Sequence, residues 1–72
     1  MTDHEGTPIV VSGITPGDPP FRFVQINGKP VGVAHNMVDV IRLAYQAGLK
    51  DVDLDDPALV RWVGGDKYRW TP

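Results

Sequence analysis

The run Asn36 to Gly48, Asn-Met-Val-Asp-Val-Ile-Arg-Leu-Ala-Tyr-Gln-Ala-Gly, constrains the fold more than any other stretch, because it is the only long segment whose apolar residues keep one period. At the helical period Met37, Val38, Val40, Ile41, Ala44, Tyr45 and Ala47 cover one broad face, and Asp39, Arg42 and Gln46 fall on the opposite side. Asn36 suits the N-cap, and Asp39 brings a carboxylate to the positive end of the helix dipole. Gly48 suits the left-handed residue that ends a helix. The spacing therefore predicts one amphipathic helix over about Asn36 to Ala47. Everything else reads as short strands, which must lie on its apolar face.

The clearest of those strands flank Asn27-Gly28, the preferred sequence of a two-residue hairpin turn, placed between Phe-Arg-Phe-Val-Gln-Ile and Lys-Pro-Val-Gly-Val. An uninterrupted hairpin pairs Ile26 with Lys29, Val24 with Val31 and Arg22 with Val33 on one side, and Phe23 with Gly32 and Phe21 with Ala34 on the other. Pro30 then falls opposite Gln25 in a non-hydrogen-bonded pair, where its missing N–H faces away from the partner and marks a sheet edge. Both faces of this hairpin carry apolar residues, so one of them is expected to be covered from outside the domain or to place its phenylalanines at an edge.

Ile9, Val10 and Val11 are β-branched and stop at Ser12-Gly13, a short first strand. The proline-rich run Ile14 to Pro20 is a connection, and residues 1–8 read as a polar, flexible arm before a single domain over 9–72. After the helix, Asp51-Val52-Asp53-Leu54-Asp55 alternates acid and apolar residues, as an edge strand or an extended connection with Val52 and Leu54 turned inward. Asp56-Pro57 and Gly64 would also frame a short helix. A second hairpin around Gly64-Gly65-Asp66 is the favoured reading, with Trp62 opposite Tyr68 and Val60 opposite Trp70. The expected fold is α+β, a small antiparallel sheet built from hairpins with one helix across one face: a ββ-α-ββ core and a short extra N-terminal strand. Its core candidates are Phe23, Val24, Ile26, Val31, Val33, Val40, Ile41, Ala44, Leu49, Leu54, Val60, Trp62 and Trp70.

Size sharpens the question of partners. A domain of 72 residues buries only about 60% of the surface of its unfolded chain, and without cysteine it has neither disulfides nor thiolate metal sites. Such a marginal core favours a homodimer or another protein partner. The cysteine-free composition fits a reducing cytoplasm, no run approaches the roughly 20 apolar residues of a membrane span, and the polar start lacks the features of a signal peptide. The formal net charge of −2 disfavours bulk attraction to phosphate, although Arg61, Lys67 and Arg69 gather at one end and Asp51, Asp53, Asp55 and Asp56 in one connection.

Chemistry is sparsely represented. Asp51-x-Asp53-x-Asp55 resembles the opening of a calcium loop, but Asp56 stands where glycine is needed and Trp62 where the bidentate Glu belongs. Ser12, the sole serine, lacks a nucleophile elbow, and His35 is more simply the neighbour of the helix cap. No phosphate loop or dinucleotide fingerprint occurs, so no cofactor is expected. Thr2-Asp3-His4, if Met1 is removed, would offer Cu(II) or Ni(II) a square-planar nitrogen set, but a solvated arm is the simpler reading, and no metal site is assigned. The remaining candidates are Arg61, Trp62, Lys67, Tyr68, Arg69 and Trp70, in which cations and aromatics alternate as they do in protein interfaces and in single-strand nucleic-acid sites. The same rings could instead be core. The expectation is a small, non-enzymatic protein-interaction module or regulatory accessory protein binding through this segment, with nucleic-acid binding as the alternative.

Overall fold

The computed structural model describes residues 7–72, so the Thr2-Asp3-His4 copper motif and the first six residues of the arm lie outside the described residues. The architecture is a small α+β fold: a four-stranded mixed sheet with one helix packed across it. In chain order the elements are β1 (Ile9–Thr15), β2 (Phe21–Ile26), β3 (Lys29–Ala34), α1 (Met37–Gln46) and β4 (Val60–Trp62). The sheet order is β3-β2-β1-β4; β1 and β2 and then β2 and β3 run antiparallel, while β4 returns parallel to β1.

The β2–β3 turn forms at Asn27-Gly28 with both residues at positive φ, 52° and 80°, as the sequence predicts. Pairing begins as expected, with Ile26 opposite Lys29 and Gln25 opposite Pro30, but shifts by one residue beyond Gln25, so that Val24 meets Gly32, Phe23 meets Val33 and Arg22 meets Ala34. The extra residue on β3 is a bulge. Its cause is visible at Gly32, which has φ +153° and lies so close under the helix that an added Cβ would sit 3.3 Å from the Leu43 side chain. Leu43 can settle over β3 only where the strand has no side chain. The slip turns Val31 and Val33, two expected core residues, to solvent and brings in Ala34 instead.

The helix is capped at both ends by local chemistry. The Asn36 side chain accepts the Asp39 N–H at 2.9 Å, and the Asp39 carboxylate accepts the His35 N–H at 2.9 Å and pairs with Arg42. These contacts, the His35 N–H first, hold the Asp39 carboxyl below the usual carboxylate range. At the other end Gly48 N–H reaches the Tyr45 carbonyl and Leu49 N–H the Ala44 carbonyl, a Schellman closure. The buried stripe is Val40 and Ala44, flanked by half-buried Met37, Ile41 and Leu43; it is narrower than the sequence reading, for Val38 is 69% exposed and Tyr45 is also exposed.

The core consists of Ile9, Val11, Val24, Ile26, Ala34, Val40, Ala44 and Val60, all on the inner face of the sheet or under the helix. The helix covers the β2–β3 half. Packed against the core from outside the helix and strands are Leu49, Val52, Leu54, Leu59 and Trp70, together with Trp62 at the end of β4. Residues 51–55 form no strand, but Val52 and Leu54 do turn inward as half-buried packing residues. Phe23 is corrected outright: alternation along β2 buries Arg22, Val24 and Ile26 and leaves the Phe23 ring 51% exposed.

The C-terminal hairpin does not form. After Trp62 the chain leaves the sheet, so Trp62 does not pair with Tyr68, nor Val60 with Trp70; β4 pairs instead with β1, Ile9 with Val60, Val10 with Arg61 and Val11 with Trp62. Parallel pairing places Val60 and Trp62 on the inner face with Ile9 and Val11, so apolar burial selects it. The carbonyls beyond Trp62 are engaged elsewhere, by Arg22.

Candidate functional site

Arg22 has no exposed surface. Its neighbours in the strand direction, Val24 and Ile26, are core residues, so the pleat delivers the guanidinium into the interior beneath the C-terminal segment. All five N–H groups of a guanidinium are donated to backbone carbonyls: Nε to Ser12 at 2.6 Å, Nη1 to Asp66 at 2.6 Å and Arg69 at 2.9 Å, and Nη2 to Gly65 at 2.8 Å and Val63 at 3.2 Å. The two indoles close the remaining space, with the guanidinium carbon 5.1 Å from the centroid of Trp62 and 5.3 Å from that of Trp70, the rings edge-on to each other at 88°. Each indole N–H is satisfied by a carbonyl, Trp62 by Leu54 at 3.2 Å and Trp70 by Lys67 at 2.6 Å.

Two local features permit this arrangement. A bulge in β1 between Val11 and Ile14 gives Ser12 an irregular position, where its hydroxyl accepts the Phe23 N–H at 2.9 Å while its carbonyl turns to Arg22. Gly64 has φ +76° and passes so close to β1 that an added Cβ would lie 2.9 Å from the Gly13 Cα. Any side chain there would both strain the backbone and push the segment off the sheet. Burial lowers the Arg22 pKa from its ordinary value; the Asp66 carboxylate raises it, and Arg69 lowers it further. The charge is held mainly by carbonyl dipoles, since no carboxylate is hydrogen-bonded to it among the described residues.

This geometry divides the six residues singled out in the sequence. Trp62 and Trp70 come together, but as the walls around Arg22, half-buried and with their polar atoms engaged. Lys67 pairs with Asp55, a contact that raises its pKa, and lies 5.2 Å above the Tyr68 ring. Arg69 is exposed and directs Nε to the Thr71 carbonyl at 2.9 Å. Tyr68 is 70% exposed. Tyr68, Lys67, Trp62, Pro57 and Leu54 border a shallow cleft of about 220 Å³, below the roughly 300–1,000 Å³ usual for small-molecule sites. Arg61 stands apart on the outer face of β4.

The aspartates of the 51–56 connection serve turns and one ion pair. Asp53 Oδ1 accepts the Asp55 N–H and Asp56 Oδ1 the Ala58 N–H, both at 2.9 Å, while Asp55 takes Lys67. Among the described residues no three His, Asp or Glu side chains converge as metal ligands, and no helix is long and apolar enough to cross a membrane.

A surface that the sequence reading left undecided is the outer face of the sheet. The row Arg61, Val10, Gln25 and Pro30 crosses all four strands, followed by Phe23 beside Val33 and then Phe21 beside Thr15. Phe21 and Phe23 meet edge to face at 5.2 Å. Val63, just past β4, is also exposed. Among the described residues no strand contains an aspartate or glutamate, and Arg61 is the one charge within these rows. The signal was the equal apolarity of odd and even positions in β2; Phe23 is exposed because Arg22, Val24 and Ile26 take the inner face. No family model, curated protein or solved structure matches the chain.

Proposed function

We propose that the protein is a small, non-enzymatic interaction module that docks a protein partner through the outer face of its sheet, and not through the C-terminal aromatic segment. The observation that carries this reading is the exposure of Phe23 and Val33 on a sheet face whose described strands carry no acidic residue, opposite the face the helix covers. A two-layer domain ordinarily shows water a polar outer face; an apolar one marks a contact surface. Trp62 and Trp70 are engaged around Arg22, which favours the sheet face over the C-terminal segment. The cysteine-free composition suits a cytoplasmic module.

Nucleic-acid binding is the second reading, favoured by Phe21 and Phe23 standing together on the outer face with Arg61 at its edge. Titration with single-stranded DNA and RNA at low salt, followed through backbone amide shifts, separates the two. Docking to protein predicts no saturable shifts in the outer-face amides of β2 and β3. Saturable micromolar binding that weakens steeply with salt would transfer the face to nucleic acid. Capture experiments comparing the wild type with Phe23→Lys complete the test: a partner retained equally by both would remove the outer face from the proposal.

A further inference from the structure

We propose that the partner on the outer face is a second copy of this chain, the two sheets packing face to face about a twofold axis that runs parallel to the strands. The inference rests on the reading of that face as a docking surface and gives it an occupant.

Charge selects the arrangement. The face has an apolar middle, Val10, Phe23 and Val33, and its one charge, Arg61, lies on the edge strand β4. A different protein could supply an acid to Arg61, whereas the described strands of a second copy carry none. A twofold axis along the strands makes that unnecessary: it lays β4 of each copy over β3 of the other, so the two Arg61 side chains end on opposite rims, in water and apart. No charge of the outer-face rows is then buried, and none of the described strands carries an aspartate or glutamate.

The edges of the sheet are poor alternatives. β4 has only three residues, and β3 carries Pro30 and a bulge, features that oppose strand addition. Area sets the strength. Strands about 4.8 Å apart, three of them six or seven residues long and β4 only three, at about 3.3 Å per residue, cover about 350 Å² in projection on each copy. Two such faces come to about 700 Å² together, below the roughly 1,200–2,000 Å² of stable complexes, so association is weak and reversible. Two such sheets at about 10 Å would form the inner layers of a four-layer dimer with the helices outside.

Sedimentation equilibrium from about 10 μM to 1 mM tests this, using the wild type, Phe23→Lys, Val33→Lys and, as a control of equal polarity on the helix, Val38→Lys. The expected result is a monomer–dimer equilibrium for the wild type and Val38→Lys, with at least a tenfold weaker dimer for both sheet variants, each of which retains its far-UV circular dichroism. Either sheet substitution alone suffices if the other variant fails to fold. A wild type that stays monomeric throughout, or a dimer indifferent to both sheet substitutions, overturns the proposal. The docking reading fails separately: it falls only if protein capture by the monomer is also indifferent to Phe23→Lys and Val33→Lys.

Discussion

Arg22 sits at an alternation position that normally takes an aliphatic residue, and the chain satisfies it by bringing in five carbonyls instead of an acid. A planar fork with five donors matches that set; an ammonium with three donors does not, and it stacks less well between two indoles. Arg22→Lys should therefore lower stability by about 2–4 kcal/mol, from unsatisfied or rehydrated carbonyls and lost stacking. Urea denaturation measures the loss, and tryptophan emission should shift because both indoles face the guanidinium. An unchanged midpoint would mean that the C-terminal segment holds its place without Arg22. The sequence showed Arg22 only as one polar position between two phenylalanines; its partners lie 41 to 47 residues away, apart from Ser12, and no local pattern announces them.

At the scale of elements, what is local was legible and what depends on distant packing was not. The helix, its Asn36 cap, its Gly48 stop and the Asn27-Gly28 turn follow from residues within a few positions of one another. Asn36→Ala should cost about 1 kcal/mol, measured by thermal or urea unfolding, because the Asp39 N–H loses its acceptor. Asp39 adds an acid dependence: its folded pKa lies below the ordinary value, so its contribution is fully present above that value and is lost as the pH falls through the folded pKa. Asp39→Asn should accordingly flatten the decline of stability below about pH 4, and an unchanged acid slope would exclude the cap as its source. The register beyond Gln25 was not legible, because the bulge answers to Leu43 across the core. The second hairpin failed for a similar reason. Glycines at 64 and 65 suit a hairpin turn, but the same two residues let the chain wrap a charge, and only the position of Arg22 decides between these uses. Of the candidate site, the sequence places Trp62 opposite Tyr68 and Trp70 opposite Val60, whereas the two indoles meet each other around Arg22.

For the whole molecule, the core, eight buried aliphatic residues among those described, is small, and its stability should depend on association. Thermal unfolding of the wild type should shift to higher Tm as concentration rises from micromolar to millimolar, whereas Phe23→Lys should give a concentration-independent value. A constant Tm for the wild type would argue that the monomer is self-sufficient. The carbonyl shell around Arg22 also has a consequence for the order of events during synthesis. Arg22 is made early, and the last carbonyl it needs, that of Arg69, follows 47 residues later; at about 5–20 residues per second that is an interval of roughly 2–9 s. Throughout that interval the nascent sheet would have to take a charge inside without its acceptors. The inner face therefore stays open on the ribosome until the C-terminal segment emerges, and the domain commits to its fold as one late event.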